Sequence, residues 1–401
     1  MEEKLFSIIV LHHNQPDYWQ DAIGSVLMQD YPAIEMIFAD DGSDNLDLDA
    51  IKAYVEENKK ENLKRCYFQI NEINGGTCRN CNSGIEHCTG DYILMLDGDD
   101  ALYDEQVITN FANAFDSLPK SELIVTARLC MYDITLQKYY EEFILSSAGA
   151  ACNAMSAQEQ YQMLHYNFVF GTASTAFRRE IFDVCGMYDD ENYTLSQDGY
   201  FFIHILRLGH KFHFFDFSAI KHREGGVCNP VEGQVSPGMI KVVKDLYTVA
   251  VREILPYLDT FMPVNSNGVL KAFYDNYNVL KKTGGYKLLT ENEIKAICPV
   301  AYKRYYNKKM RANINRNAYD KSIDYKDISN ACKWTFSLIV VLVIQAFAVA
   351  IGISNTIGLQ MFWVALDIGL FVGALYNAGK VIYNKLVLTA FAAKTALNKR
   401  R

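Results

Sequence analysis

The stretch GDYILMLDGDDALYDE, residues 90–105, sets an apolar run directly against three carboxylates, Asp97, Asp99 and Asp100, separated only by Gly98. An apolar run of that length reads as a buried strand. Carboxylates crowded at its end repel one another and raise each other's pKa unless a cation sits among them. A second apolar run, IEMIFA at 34–39, ends in the same way, on Asp40, Asp41 and Gly42. A solvated turn explains one such end, since Asp and Gly are ordinary turn residues. Two of them on strands of one sheet point to a site instead.

The elements around them fix how the two ends meet. FSIIVL at 6–11 reads as a first strand, followed by a helix from about 17 to 28 with Tyr18, Ala22, Ile23, Val26 and Leu27 on one face. After the strand at 34–39 come a helix near 48–63, a strand near 66–70, a helix from about 78 to 88 and the strand at 92–96. Short apolar strands alternating with helical patterns over the first 230 residues predict an α/β sheet with helices on both faces. In open sheets of this kind ligands bind beyond the carboxyl ends of the strands. Asp40, Asp41, Asp97, Asp99 and Asp100 are therefore expected to converge on one crevice. The compensating cation expected there is Mg²⁺ or Mn²⁺, because hard divalent ions take oxygen ligands and share them with substrate phosphates.

Composition limits the alternatives. The chain has 401 residues, half of them hydrophobic, enough for a full core and more than one domain. Its ten cysteines are scattered, and no hydrophobic leader of proper form opens the chain, so free thiols in a reducing cytosol are expected. Cys78, Cys81 and Cys88 lack the second CxxC or paired His of a zinc site. Residues 301–401 hold 15 Lys and Arg against 4 Asp, a balance of +11, so the first 300 residues carry −19 of the total −8. An acidic body with a basic tail does not suit a nucleic-acid binder, whose basic stripe belongs on the folded domain. It suits a tail that meets an anionic membrane.

That tail holds the longest apolar segment, residues 334–353, twenty positions without a charge and long enough to cross a hydrocarbon core. A second segment, 357–376, carries Asp367, which costs about 3 kcal/mol on insertion, against a return of about 3 to 6 kcal/mol from its Ile, Leu, Phe and Val residues. Gly369 and Gly373 give it a GxxxG face for close helix packing. Basic residues flank the pair on both outer sides, so a hairpin with both ends in the cytosol is expected, with self-association through these helices.

The stretches SIIVLHHNQPDYWQDAIGSVLMQDYPAIEMIFADDGSDN, NGGTCRNCNSGIEHCTGDYILMLDGDD and SQDGYFFIHILRLGHKF resemble, in order, the successive motifs of glycosyltransferase family 2. These are inverting nucleotide-sugar transferases of the GT-A fold, and the likeness covers about residues 5–230. The resemblance gives Asp41, with Asp40 beside it, to the nucleoside base and ribose. It makes Asp97 and Asp99 the DxD motif, where a metal bridges protein and sugar diphosphate, with Asp100 either a further ligand or a support for the ligands. Arg79 matches a basic position that contacts the nucleotide, and His222, in IKHREGG, matches a segment offering a third metal ligand or a diphosphate contact. Asp198 falls at the catalytic base, with Arg207 and Leu208 in the family's later R-L position. Gln197 replaces an acidic neighbour there, so Asp198 is expected to be less strongly raised in pKa. Leu11 and His12 replace the usual Pro-Thr, and the QxxRW signature of processive synthases is absent.

The resulting expectation is a GT-A catalytic domain over 1–230, a helical extension over 231–330, and a membrane hairpin with a basic amphipathic end over 331–401. The activity expected is transfer of one sugar from a nucleotide donor, a UDP-sugar by preference, to a hydroxyl of a glycan acceptor on a polyprenyl diphosphate lipid, at the cytoplasmic face of the plasma membrane. Two alternatives remain open: a polyprenyl-phosphate sugar synthase, which needs no base at Asp198, and a non-enzymatic sugar-nucleotide-binding scaffold.

Overall fold

A computed structural model of the chain describes residues 4–142, 146–164, 171–224, 237–261 and 266–309, together with positions 333 and 337. The order begins β1 (Phe6–His12), α1 (Trp19–Leu27), β2 (Ile34–Asp40), α2 (Leu48–Asn58), β3 (Leu63–Ile70), α3 (Thr77–Ile85), β4 (Tyr92–Asp97) and β5 (Ala101–Leu102). It continues with α4 (Val107–Ser117), β6 (Ile124–Tyr132), β7 (Tyr139–Glu142), α5 (Ser146–Asn153), α6 (Ala157–Leu164), β8 (Thr175–Arg178), α7 (Glu180–Cys185), α8 (Gln197–Arg207) and β9 (His213–Arg223). A helical run follows: α9 (Pro237–Val249), a π-helical turn (Ala250–Ile254), a 3-10 turn, α10 (Leu258–Phe261), α11 (Ser266–Thr283) and α12 (Glu291–Ile297).

The strands form one mixed sheet in the order β3-β2-β1-β4-β8-β6-β9-β5, with β7 paired to β6. The first four are parallel, and β8 enters antiparallel between β4 and β6. The chain runs outward from β1 through β2 to β3, then returns to the other side of β1 for β4, which makes the end of β1 a topological switch point. The register puts His12 of β1 opposite Asp40 of β2 and Leu11 opposite Asp97 of β4. Both acidic ends therefore flank the same strand terminus.

Burial explains why these segments are strands and helices. All seven residues of β1 and all seven of β2 are buried, as expected for parallel strands covered on both faces. Ala22, Ile23, Val26 and Leu27 of α1 pack with Ile8, Val10, Met36 and Phe38 in one core cluster. The long helix expected to 63 stops at Asn58 because Lys59 is extended and a turn from Leu63 N–H to the Lys60 carbonyl starts β3 three residues earlier than its apolar pattern indicates. Glu35 is fully buried within β2, and Ser7, Thr89, Gly90 and Arg65 all donate to its carboxylate. A buried charge so surrounded is tolerated.

The helices beyond β9 belong to the same compact unit as the sheet, which extends from Met1 to Arg304; residues 305–401 form a second unit. Arg207 of α8 donates from Nη2 to Glu253 of the π-helical turn at 2.8 Å and stacks over Tyr257 at 4.5 Å. Among the described residues no helix is long and apolar enough to cross a membrane. The two segments expected to form the hairpin, 334–353 and 357–376, lie outside the described residues apart from position 337.

Candidate active site

Asp40 and Asp41, adjacent in sequence, do different work. Asp40 is fully buried. Its Oδ1 accepts from His12 Nδ1 at 2.7 Å and from Ser43 Oγ, and its Oδ2 accepts from the Ser43 N–H at 2.9 Å. Burial alone raises such a carboxyl, but the bonds from His12 and Ser43 outweigh it and hold Asp40 below the usual range. Asp40 thus builds the turn after β2, and His12, which departs from the family pattern, is its partner. Asp41 accepts from the Gly75 N–H at 2.9 Å and the Gly76 N–H at 2.7 Å, fastening the loop before α3 to the end of β2. Arg79 is exposed on α3 and lies along Gly75 at the rim of that loop.

The DGDD turn after β4 is held from three sides. The Gly98 N–H donates to the Leu11 carbonyl at 2.7 Å, and a Cβ at Gly98 would come within 2.5 Å of that oxygen. Only glycine lets the turn lie this close to β1. Asp100 is fully buried, with Oδ2 accepting from His222 Nδ1 at 2.7 Å and Oδ1 from the Arg223 N–H at 2.9 Å. Arg223 then donates from Nε to the Asp99 carbonyl at 2.6 Å and from Nη2 to Asp21 at 2.6 Å, while stacking over Tyr18 at 4.3 Å. Asp97 and Asp99 remain half-buried, with the Gln15 side chain bonded to Asp99.

Electrostatics separate these carboxylates. Burial, reinforced by Asp100 and Asp99, pushes Asp97 up to about 7, and burial with Asp100 also raises Asp99. Burial lowers the basicity of His222, but its bond to Asp100 and the carboxylates around it raise it further, to about 9. Three carboxylates facing one imidazole leave negative charge uncompensated. Among the described residues no group of three His, Cys, Asp or Glu side chains could hold a metal by itself. A donor set of one or two carboxylates suits an ion that takes its remaining ligands from substrate phosphates and water, the habit of Mg²⁺. On that chemistry Asp97 and Asp99 fit a metal. His222, expected as a ligand or diphosphate contact, has Nδ1 committed to Asp100, which leaves Nε2 as the ring atom able to face a ligand.

Asp198 stands in the first turn of α8, half-buried, with its Oδ1 accepting from the Gly199 N–H at 2.7 Å. Burial pushes it up to about 6 even with Gln197 in place of an acid. Its charge is felt at Asp97, and the Cys78 N–H donates to the Thr194 carbonyl at 3.3 Å, which ties the loop before α8 to α3. Cys78, Cys81 and Cys88 are buried, and burial raises all three thiols, Cys88 to about 12. They are core residues. One residue of this site escapes sequence reasoning, Arg223, for which the HR pair that closes β9 was the available signal.

The mixed sheet, its two acidic strand ends and the raised aspartate on α8 fit the fold that the sequence resemblance implies. Residues 7–186 match Glycosyl transferase family 2, so this part of the chain carries a domain of that family. An uncharacterized glycosyltransferase of Rickettsia typhi is 31% identical over 141 residues, 35% of this chain and 40% of the relative. The GalNAc(5)-diNAcBac-PP-undecaprenol beta-1,3-glucosyltransferase of Campylobacter jejuni subsp. jejuni is 31% identical over 96 residues, 24% of this chain and 30% of the relative. The chain thus spans less than half the length of either. The crystal structure of S. aureus TarS 1-349 in complex with UDP-GlcNAc aligns with a TM-score of 0.45 at 15% identity, covering 72% of this chain and 77% of that one.

Proposed function

We propose that the protein is an inverting glycosyltransferase that moves one sugar from a nucleotide sugar, a UDP-sugar by preference, to a hydroxyl of a glycan acceptor carried on a polyprenyl diphosphate. The observation that carries this is the pair of acidic strand ends flanking the terminus of β1, with Asp198 near enough for its charge to raise Asp97 further. Asp41 and the loop it fastens would cradle the nucleoside. Asp97 and Asp99 would hold Mg²⁺ or Mn²⁺, and His222 would join them as a ligand only on giving up the proton that Asp100 favours. The bound ion supplies charge neutralisation for the departing nucleoside diphosphate.

The protein's own part in the transfer is positional and protic. Asp198, ionised above about 6, takes the proton of the acceptor hydroxyl as that oxygen forms its bond to the anomeric carbon. The bond from that carbon to the diphosphate breaks on the opposite face, so configuration inverts. Asp100 and Arg223 hold the DGDD turn still while this happens. The Campylobacter relative, named for an undecaprenyl-linked acceptor, supports the acceptor class. The apolar segments 334–353 and 357–376, with Lys and Arg on both outer flanks, support attachment to a membrane as a hairpin, with the catalytic unit at the cytoplasmic face.

A screen of radiolabelled nucleotide sugars with Mn²⁺ and a lipid extract tests the reading. Label transferred to a lipid-linked glycan supports it, label on a polyprenyl monophosphate identifies a lipid-phosphate synthase, and binding without turnover identifies a scaffold.

A further inference from the structure

The loop that carries Asp198 into the site does not hold itself in place. Ser196 stands at the N-cap of α8 but makes no side-chain capping bond. The N–H groups of Thr194, Leu195 and Ser196 instead converge on one oxygen, Oδ2 of Asp245, at 3.0, 2.7 and 3.1 Å. Asp245 comes from α9, some fifty residues later in the chain, and is 1% exposed. Three backbone donors aimed at one buried carboxylate oxygen fix the conformation of residues 194–196. Asp198 begins two residues further on.

The other side of the same loop meets the nucleotide end of the site. The Thr194 carbonyl accepts from the Cys78 N–H at 3.3 Å, and Gly76 lies so close that a Cβ there would sit 2.5 Å from Thr194 Cγ2. Gly76 has a φ of +89° and is the residue whose N–H Asp41 binds. A continuous line of contacts therefore runs from Asp41 through Gly76 and Thr194 to Asp245, with Asp198 at the end of the segment Asp245 fixes.

We propose that Asp245 is a positioning residue for the transfer step. It sets the base, Asp198, at a fixed distance from the donor loop without touching substrate. The inference rests on the transferase reading. Displacing a reacting group by about 1 Å costs on the order of 100-fold in rate, so the effect belongs in kcat. Donor recognition changes less, because Asp41 keeps its own bonds to the Gly75 and Gly76 amides.

The test is steady-state kinetics on the full-length protein carrying Asp245→Ala or Asp245→Asn, beside the wild type and Asp198→Asn. Asn keeps a carbonyl oxygen for the three N–H groups, whereas Ala removes it. The expected result is a kcat lowered about 30- to 100-fold in Asp245→Ala, with donor KM within about threefold, and recovery to within about fivefold of wild type in Asp245→Asn. Should Asp245→Ala fail to fold, Asp245→Ser, whose hydroxyl is too short to reach three amides, takes its place with the same expectation. An unchanged kcat in these variants, or a proportional rise in donor KM with no recovery in Asp245→Asn, overturns the positioning role while the transferase reading stands. A wild type without transfer overturns both.

Discussion

The buried carboxylate of Asp100 and the imidazole of His222 meet at 2.7 Å across 122 positions of sequence, joining the turn after β4 to the end of β9. Arg223, the next residue, adds its backbone N–H to the same carboxylate and its guanidinium to the Asp99 carbonyl. Asp100→Ala leaves those donors facing an apolar gap. Urea unfolding should show a loss of about 2 to 4 kcal/mol, and donor affinity should fall with it because Asp97 and Asp99 ride on the same turn.

The pH dependence of transfer should carry the signature of Asp198. Its carboxyl is raised by burial to about 6, and the ionised form is the one that accepts a proton. The rate is therefore full above that value and falls as pH drops through it, approaching about tenfold per unit further down. A profile of kcat against pH from 4.5 to 8 measures this. Asp198→Asn should flatten the limb and lower the plateau by about 10² to 10⁴.

Gly98→Ala tests the close approach of the DGDD turn to β1. The added methyl would meet the Leu11 carbonyl at 2.5 Å and Gln15 Oε1 at 2.9 Å. Backbone cannot step aside as a side chain can. A destabilisation of about 1 to 3 kcal/mol, with loss of donor binding by calorimetry, is the expected outcome.

The metal assignment is checked by titrating UDP with and without Mn²⁺. Wild-type affinity should rise on adding the ion, and Asp99→Ala should erase that gain while leaving metal-free affinity within about twofold, since the carboxylate acts on the diphosphate through the cation.

How much of this was legible in the sequence depended on distance along the chain. From residue 6 to 97 the strands and helices follow from apolar period and turn residues, because each carries that pattern along its own length whatever it packs against. The acidic strand ends, Asp40, Asp41, Asp97 and Asp99, were visible for the same reason. Their different duties were not: Asp40 is claimed by His12 and Ser43, and Asp41 by two glycine amides more than thirty residues on. Asp245 was hidden altogether. In sequence it is one acid on an amphipathic helix, and only the fold brings the three amides of 194–196 to it. β8, wedged antiparallel between β4 and β6, carries no pattern that specifies its neighbours.

If a sugar leaves its nucleotide at the carboxyl edge of this sheet under the control of Asp198, binding and transfer separate when that carboxylate is removed. The most direct measurement pairs donor binding with transfer in Asp198→Asn, using the nucleotide sugar that the wild type turns over. Donor affinity should stay within about twofold of wild type, and transfer should fall by at least about 100-fold. Transfer surviving within about threefold in that variant would contradict control by Asp198.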